Sequence, residues 1–279
     1  MSAQNKDEAP DQKSRFDAYD PNEVAERVLK VGVKKTRSPF HKTMVLGILG
    51  GSFISLGALW DIYVRAHPAV EPGAAFILGP IFYAMGYILA FIAGAEIFTT
   101  NNLAAMSWAS GKVTLWEITR NWTLVLFANL IGAASIAGLF LISGLANQYD
   151  GALIDTAKTI AAIKVSFTPL QTIVIGIFGN LFICAGLWVA MAGRSVTDQF
   201  FSLLLPVAAV PAMNFQHCTG NMFQFFMALA TESPTVDLEL PSQITFWSIS
   251  ANLFYVAVGN IIGGGVFIAL VYYFVFIRK

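Results

Sequence analysis

The sequence predicts an all-α polytopic membrane protein: six transmembrane helices in two inverted three-helix repeats, with helices 2 and 5 broken. Three observations predict it. Runs of about 20 apolar residues recur, each long enough to cross a hydrocarbon core about 30 Å thick. Segments of the first half return in the second, and Lys and Arg gather on alternate connections. Of 279 residues, 56% are hydrophobic and 12% charged, against about 25% charged in ordinary soluble domains. The formal net charge is zero, so bulk electrostatics name no nucleic-acid partner.

Residues 1–38 read as a cytoplasmic tail and an amphipathic helix, and 39–279 as the six-span membrane domain. The first 20 residues are polar, look disordered and lack the apolar core of a cleavable signal peptide. Asp20 is a candidate N-cap, with Pro21 at the first helical position and Glu23 in the first turn. Val24, Ala25, Val28, Leu29 and Val31 share one side of a helix running to Lys35. That side lies on the membrane surface, or the helix is a solvated leader.

The spans fall at 43–65, 74–99, 113–144, 160–192, 199–230 and 243–276. Nine of 17 basic residues lie in the first 42 positions; Lys112 and Arg120 flank the second connection, Arg194 sits in the fourth, and Arg278 and Lys279 close the chain. The first connection has only Arg65, the third has Lys158 among Asp150 and Asp155, and the fifth has only Glu232, Asp237 and Glu239. Both termini are therefore expected in the cytoplasm. Trp60, Trp116 and Trp247 fall near the interfaces.

Gly47–Gly57 aligns with Gly176–Gly186 at an offset of 129, with six of 11 positions identical. Asn129-Leu-Ile-Gly-Ala133 aligns with Asn260-Ile-Ile-Gly-Gly264 at an offset of 131. Each repeat holds three spans, so the second copy enters from the opposite face, and a path lies where the halves meet.

Spans 2 and 5 are interrupted. Span 2 runs through Gly79-Pro80 and Gly86 to Gly94-Ala-Glu-Ile-Phe-Thr-Thr-Asn-Asn102; span 5 carries Pro206, Pro211 and Asn214-Phe-Gln-His-Cys-Thr-Gly-Asn221. Proline removes a backbone donor and kinks a helix. Half-helix N-termini facing a cavity favour an anion; the plainer reading is two kinked, packed helices. His217 is the only histidine inside a span, and an ionisable group at that depth is a functional candidate or an interhelical hydrogen-bonding group. Lys164, near the outer end of span 4, either collects anions or snorkels to water. Glu96 reads as a structural acceptor of broken-helix amides. Cys184 and Cys218 read as small buried residues. Nothing forms a catalytic cluster, a metal site or a cofactor site, and a cation path needs more carboxylates.

Several segments together resemble the formate/nitrite transporter family. They are Gly94-Ala-Glu-Ile-Phe-Thr99, Asn121-Trp122, Gly132, Lys164 followed by Gly176-x-x-x-Asn180, Phe215-Gln-His-Cys-Thr-Gly-Asn-Met-Phe223 and Gly259-Asn-Ile-Ile-Gly263. The resemblance implies an aquaporin-like protomer with its own pore, assembled as a homopentamer in a bacterial inner membrane. Its partners would be protons and small monovalent anions such as formate, nitrite or hydrosulfide. Lys164 would attract the anion and His217 would sit in the constriction, hydrogen-bonded by Thr99 and Asn180. Ile97, Phe98, Val210 and Asn214 would line the same pathway. The chain departs from the pattern at Gln216 (usually glutamate), Asn214 (commonly glycine) and Cys218 (serine), and at Tyr83 and Tyr87 (usually apolar). A neutral-solute channel would share the inverted repeat, but its paired Asn-Pro-Ala loops do not occur here. A non-transporting scaffold would not need polar residues at both breaks.

Overall fold

In a computed structural model, residues 17–229 and 244–278 are described. The acidic fifth connection, most of the N-terminal tail and Lys279 lie outside them. All regular secondary structure among the described residues is helical, and five helices are long and apolar enough to cross a membrane.

The first helix, α1 (Pro21–Thr36), starts as its sequence dictates: Asp20 and Glu23 form a reciprocal capping box. Most of its apolar side is covered by protein, Val31 alone of the five being exposed. Val24, Ala25, Val28 and Leu29 are buried against Leu103, Ala104, Met106, Leu187 and Trp188. The expected surface or solvated helix is thus a docked one, because the membrane domain itself offers an apolar seat for that face.

Then come α2 (Phe40–Ala66) and α3 (Pro72–Ile92). Short helical turns follow, α4 (Phe98–Asn101) and α5 (Ala105–Ala109), before α6 (Leu115–Ile142). The second half opens with α7 (Ala152–Val165), α8 (Pro169–Ala192) and α9 (Val196–Ala212). It closes with α10 (Cys218–Leu229), α11 (Phe246–Asn260), a π-helical stretch over Ile261–Leu270 and α12 (Val271–Phe276). The last three run as one apolar helix of 31 residues.

One expected span is corrected. The run read as 160–192 is two helices, and Lys164 ends the first of them. The signal is local: Thr168 caps α8, Gln171 returns the bond, and Pro169 sits at the first helical position. Residues before a proline avoid the helical region.

Packing places the two interruptions at the centre. In the first half α2 lies along α3 and α6; in the second α8 lies along α9 and α11; α3 and α9 meet across the middle. The interruptions do not fall at the prolines. Pro80, Pro206 and Pro211 all sit inside helices. The helices stop instead at Gly94 (φ 76°) and Asn214 (φ 55°), both left-handed. Glycine adopts that conformation freely, and asparagine is among the few side chains that tolerate it. This explains how Asn214 stands where glycine is common.

After each left-handed residue the chain runs against a neighbouring helix. A Cβ at Gly50 would fall on the Glu96 carbonyl oxygen, and one at Gly179 on the Gln216 carbonyl oxygen. Only glycine lets the extended segments lie that close.

Candidate functional site

Extended backbone at the centre of an apolar bundle leaves amides and carbonyls that must find partners. Two asparagines supply them. Asn129 of α6 donates from Nδ2 to the carbonyls of Gly47 (2.7 Å) and Glu96 (2.9 Å), and its Oδ1 accepts from the Phe98 amide (2.9 Å). Asn260 of α11 donates to the carbonyls of Gly176 (2.8 Å) and Gln216 (3.1 Å), and accepts from the Cys218 amide (3.0 Å). These are the residues that the sequence aligns between halves.

The correspondence continues outward. Asn101 donates to Glu96 Oε2 (2.6 Å) and to Asn121 Oδ1 (3.0 Å), and Asn121 donates to the Lys35 carbonyl (3.2 Å). In the other half Asn221 donates to Gln216 Oε1 (2.7 Å) and to Asn252 Oδ1 (3.0 Å), and Asn252 donates to the Lys164 carbonyl (2.7 Å). Lys35 and Lys164 thus hold matching places.

Glu96 does not accept from broken-helix amides, as its position suggested. Its carboxylate pairs with the Lys35 ammonium at 3.2 Å, and Lys35 also donates to Asn101 Oδ1 (2.8 Å). The docking of α1 brings that lysine down. Glu96 is also not alone among deep carboxylates. Asp61 in α2 is buried and accepts from Arg65 Nε at 2.7 Å.

His217 lies at the centre, 2% exposed. Its Nδ1 accepts from the Gly220 amide at 3.2 Å, and its Nε2 meets the Tyr83 hydroxyl. A neutral imidazole with Nδ1 so engaged carries its proton on Nε2, facing Tyr83. The expected direct bonds from Thr99 and Asn180 are not the ones found. Thr99 Oγ1 meets the Tyr87 hydroxyl at 2.5 Å, and that hydroxyl is 3.5 Å from His217 Nδ1. The phenol of Tyr87 occupies the space between threonine and imidazole. Asn180 donates to the carbonyls of Thr99 (3.1 Å) and Asn260 (2.7 Å), holding backbone.

Three cavities lie around the two interruptions, and the smallest of them reaches His217. A vestibule of about 460 Å³ is lined by Asp61, Arg65, Lys164, Asn214, Gln216 and Gln224, among others. A chamber of about 20 Å³ follows, walled by Tyr83, Val210, Pro211, Phe215 and His217 and reached by Lys164 and Gln224. That is room for about one water molecule. A third cavity, about 210 Å³, lies under α1 and is lined by Lys35, Gly94, Ile97, Thr100 and Asn101. Phe98 faces none of the three; it packs with Val125, Cys218 and Val256.

Lys164, Asn214, Gln216, Tyr83, Val210 and His217 thus line the two adjoining cavities, Tyr87 and Thr99 pack beside His217, and Ile97 lines the third cavity. Sequence reasoning missed Gln224, Asp61 and Lys35 at these cavities. Gln224 follows His217 by seven residues, two turns along one face of α10. Asp61 and Arg65 stand at the spacing of a helical ion pair.

Comparison with known proteins agrees with this architecture. The formate/nitrite transporter family model matches residues 22–274. The formate channel FocA of Escherichia coli (strain K12) is 34% identical over 275 residues, 95% of this chain and 96% of that protein. The formate channel BtFdhC of Bacillus thuringiensis is 28% identical over 257 residues, 91% of this chain and 95% of that protein. A solved pentameric formate channel with formate bound superposes with a TM-score of 0.77 at 31% identity, covering 86% of this chain and 98% of that one.

Proposed function

Because the chain belongs to the formate/nitrite transporter family, we propose that it carries formate, or a related small monovalent anion of a weak acid, across a membrane. We further propose that each protomer encloses its own pore and that five protomers assemble. Six spans in two inverted repeats, with helices 2 and 5 broken, form the transport domain (39–279). The bacterial inner membrane is the proposed site, both termini being cytoplasmic.

One observation carries the mechanism: a polar vestibule containing Lys164 narrows to a chamber that holds about one water molecule beside His217. A hydrated anion does not fit there, and stripping the shell from a bare charge costs several kcal/mol or more. Adding a proton turns formate into a neutral acid and removes most of that cost. Lys164 makes no ion pair among the described residues, so its charge is available to concentrate the anion at the entrance. The Nε2 proton of His217 faces Tyr83 and the chamber, the position from which it exchanges with the passing acid. Tyr87 and Thr99 hold the far side of the ring in place.

The test is uptake of a panel of small anions, water and glycerol into proteoliposomes, at about pH 5.5 and about pH 7.5. Formate flux should be faster at the lower pH, where more of the substrate is protonated. A flux flat with pH, and unchanged in His217→Asn, sinks the proton-assisted reading. Passage of glycerol without any anion sinks the anion reading itself.

A further inference from the structure

We propose that Gln224 is a specificity-determining contact of the pore, pairing with small planar oxygen acids as they pass from the vestibule to His217. This rests on the anion-pore reading above.

Four residues line both the vestibule and the chamber, and so form the doorway between them: Lys164, Pro211, Phe215 and Gln224. Two are apolar. Lys164 offers N–H donors alone. Gln224 is the one doorway residue that presents a donor and an acceptor side by side.

The amide oxygen of Gln224 is also unspent. The residue is 4% exposed, and its Oε1 is buried without a hydrogen-bond partner. A buried amide oxygen left in that state loses its water without a replacement bond and so destabilises the fold. The neighbouring amides show what the fold does otherwise: Gln216, Asn221 and Asn252 bond to one another and to the Lys164 carbonyl. An orphaned amide oxygen at the doorway is therefore the acceptor that the proposed contact uses.

The guest it fits is defined by chemistry. A primary amide and a carboxylic acid form a cyclic pair: the acid O–H donates to the amide oxygen, and an amide N–H donates to the acid's second oxygen. Formic acid and nitrous acid present that donor and acceptor on adjacent oxygens. Their anions still accept from the N–H. Hydrogen sulfide has one polar atom and cannot close the pair. Gln224 would thus receive the substrate at the point where it exchanges the charge of Lys164 for the neutral chamber, and would favour oxygen acids over hydrosulfide.

The experiment compares formate with hydrosulfide flux in proteoliposomes of the full chain, for wild type, Gln224→Met and Gln224→Glu. In Gln224→Met, of similar size but unable to pair, the formate-to-hydrosulfide ratio should fall about tenfold, as losing one or two hydrogen bonds implies. Gln224→Glu should show the loss at about pH 7.5 and recover toward wild type at about pH 5.5, where a protonated carboxyl again offers both partners. It also serves if the methionine variant fails to assemble. Ratios within about twofold of wild type in both variants, with wild type passing both anions, overturn the Gln224 assignment alone. A wild type that passes neither anion removes the pore reading and this inference with it.

Discussion

Replacing Asn260 by alanine tests whether the central extended segment is held by side-chain amides. Three hydrogen bonds disappear. The Gly176 carbonyl lies within α8 and keeps its helical partner, so its loss is small. The Cys218 amide and the Gln216 carbonyl are different, because Asn260 supplies the hydrogen bonds that hold both. Each becomes a buried group without a partner, at about 1–3 kcal/mol, giving a predicted loss of about 2–6 kcal/mol. The competing expectation is lower: interhelical hydrogen bonds in membranes average about 0.6 kcal/mol, because the unfolded chain finds other partners. Two such bonds would total about 1 kcal/mol. The larger figure should win, since the Gln216 carbonyl lies on non-helical backbone wedged against Gly179 and the Cys218 amide is in the first turn of α10, which has no helical acceptor for it. Unfolding in mixed micelles with rising dodecyl sulfate reads the difference. Asn129→Ala, which orphans the Phe98 amide and the Glu96 carbonyl, should match it. Losses near 1 kcal/mol in both variants would refute the reasoning.

Lys164→Met should slow initial formate uptake several-fold at low ionic strength, with the deficit shrinking as salt screens the vestibule field; a deficit independent of salt speaks against charge collection. Gln216→Glu should fold normally, because a carboxylate accepts the same bonds from Asn221 and Asn252, while adding negative charge to the vestibule. Its uptake deficit should be present at neutral pH and fade as pH falls and the new carboxyl protonates, which parallel pH series of variant and wild type would show. Both alanine variants at Gly50 and Gly179 should fail to assemble, since the added Cβ meets backbone oxygen rather than a movable side chain; recovery of either as a folded oligomer by size-exclusion chromatography contradicts the packing argument.

Much of this was legible because hydropathy and repetition are local signals. Asn129 and Asn260 align in the sequence, and they anchor equivalent segments in the structure. The interruptions were read from the prolines together with the segments that begin at Gly94 and Asn214; the turns fall at Gly94 and Asn214 and not at the prolines, because a left-handed residue reverses the chain more sharply than a kink does. The start of α8 was hidden by hydropathy: Ala152–Val165 is apolar enough to merge with the following span, and only Thr168-Pro169-Leu170-Gln171 marks the cap. The partner of Glu96 was out of reach in principle. Lys35 lies on a separate helix, and nothing local says that α1 folds back onto the membrane domain. Gln224 sits in an apolar run from Met222 to Met227, where one amide reads as a minor interruption unless counted from His217.

The two halves use the same scaffold to opposite electrostatic effect. Lys35 and Lys164 occupy matching places, each above an asparagine pair and each with a side chain from an extended segment beneath it. On the α1 side that side chain is Glu96, and the lysine charge is cancelled at 3.2 Å. On the vestibule side it is Gln216, which accepts the same two kinds of hydrogen bond but brings no charge. Asp61, the carboxylate nearest in kind, is already engaged by Arg65. One oxygen exchanged for an amide nitrogen therefore leaves Lys164 without an ion pair among the described residues while Lys35 is held by its neighbours, the difference that the proposed anion role of Lys164 draws on. Removing Glu96 as a charge, in Glu96→Gln, should bring the two ends closer: the backbone hydrogen bonds and the Lys35–Asn101 bond persist, the Lys35 charge is no longer cancelled, and formate flux from the α1 side rises relative to flux from the vestibule side. Proteoliposomes sorted by orientation would read that ratio directly, and an unchanged ratio would show that the asymmetry lies in the docking of α1 rather than in the charge beneath it.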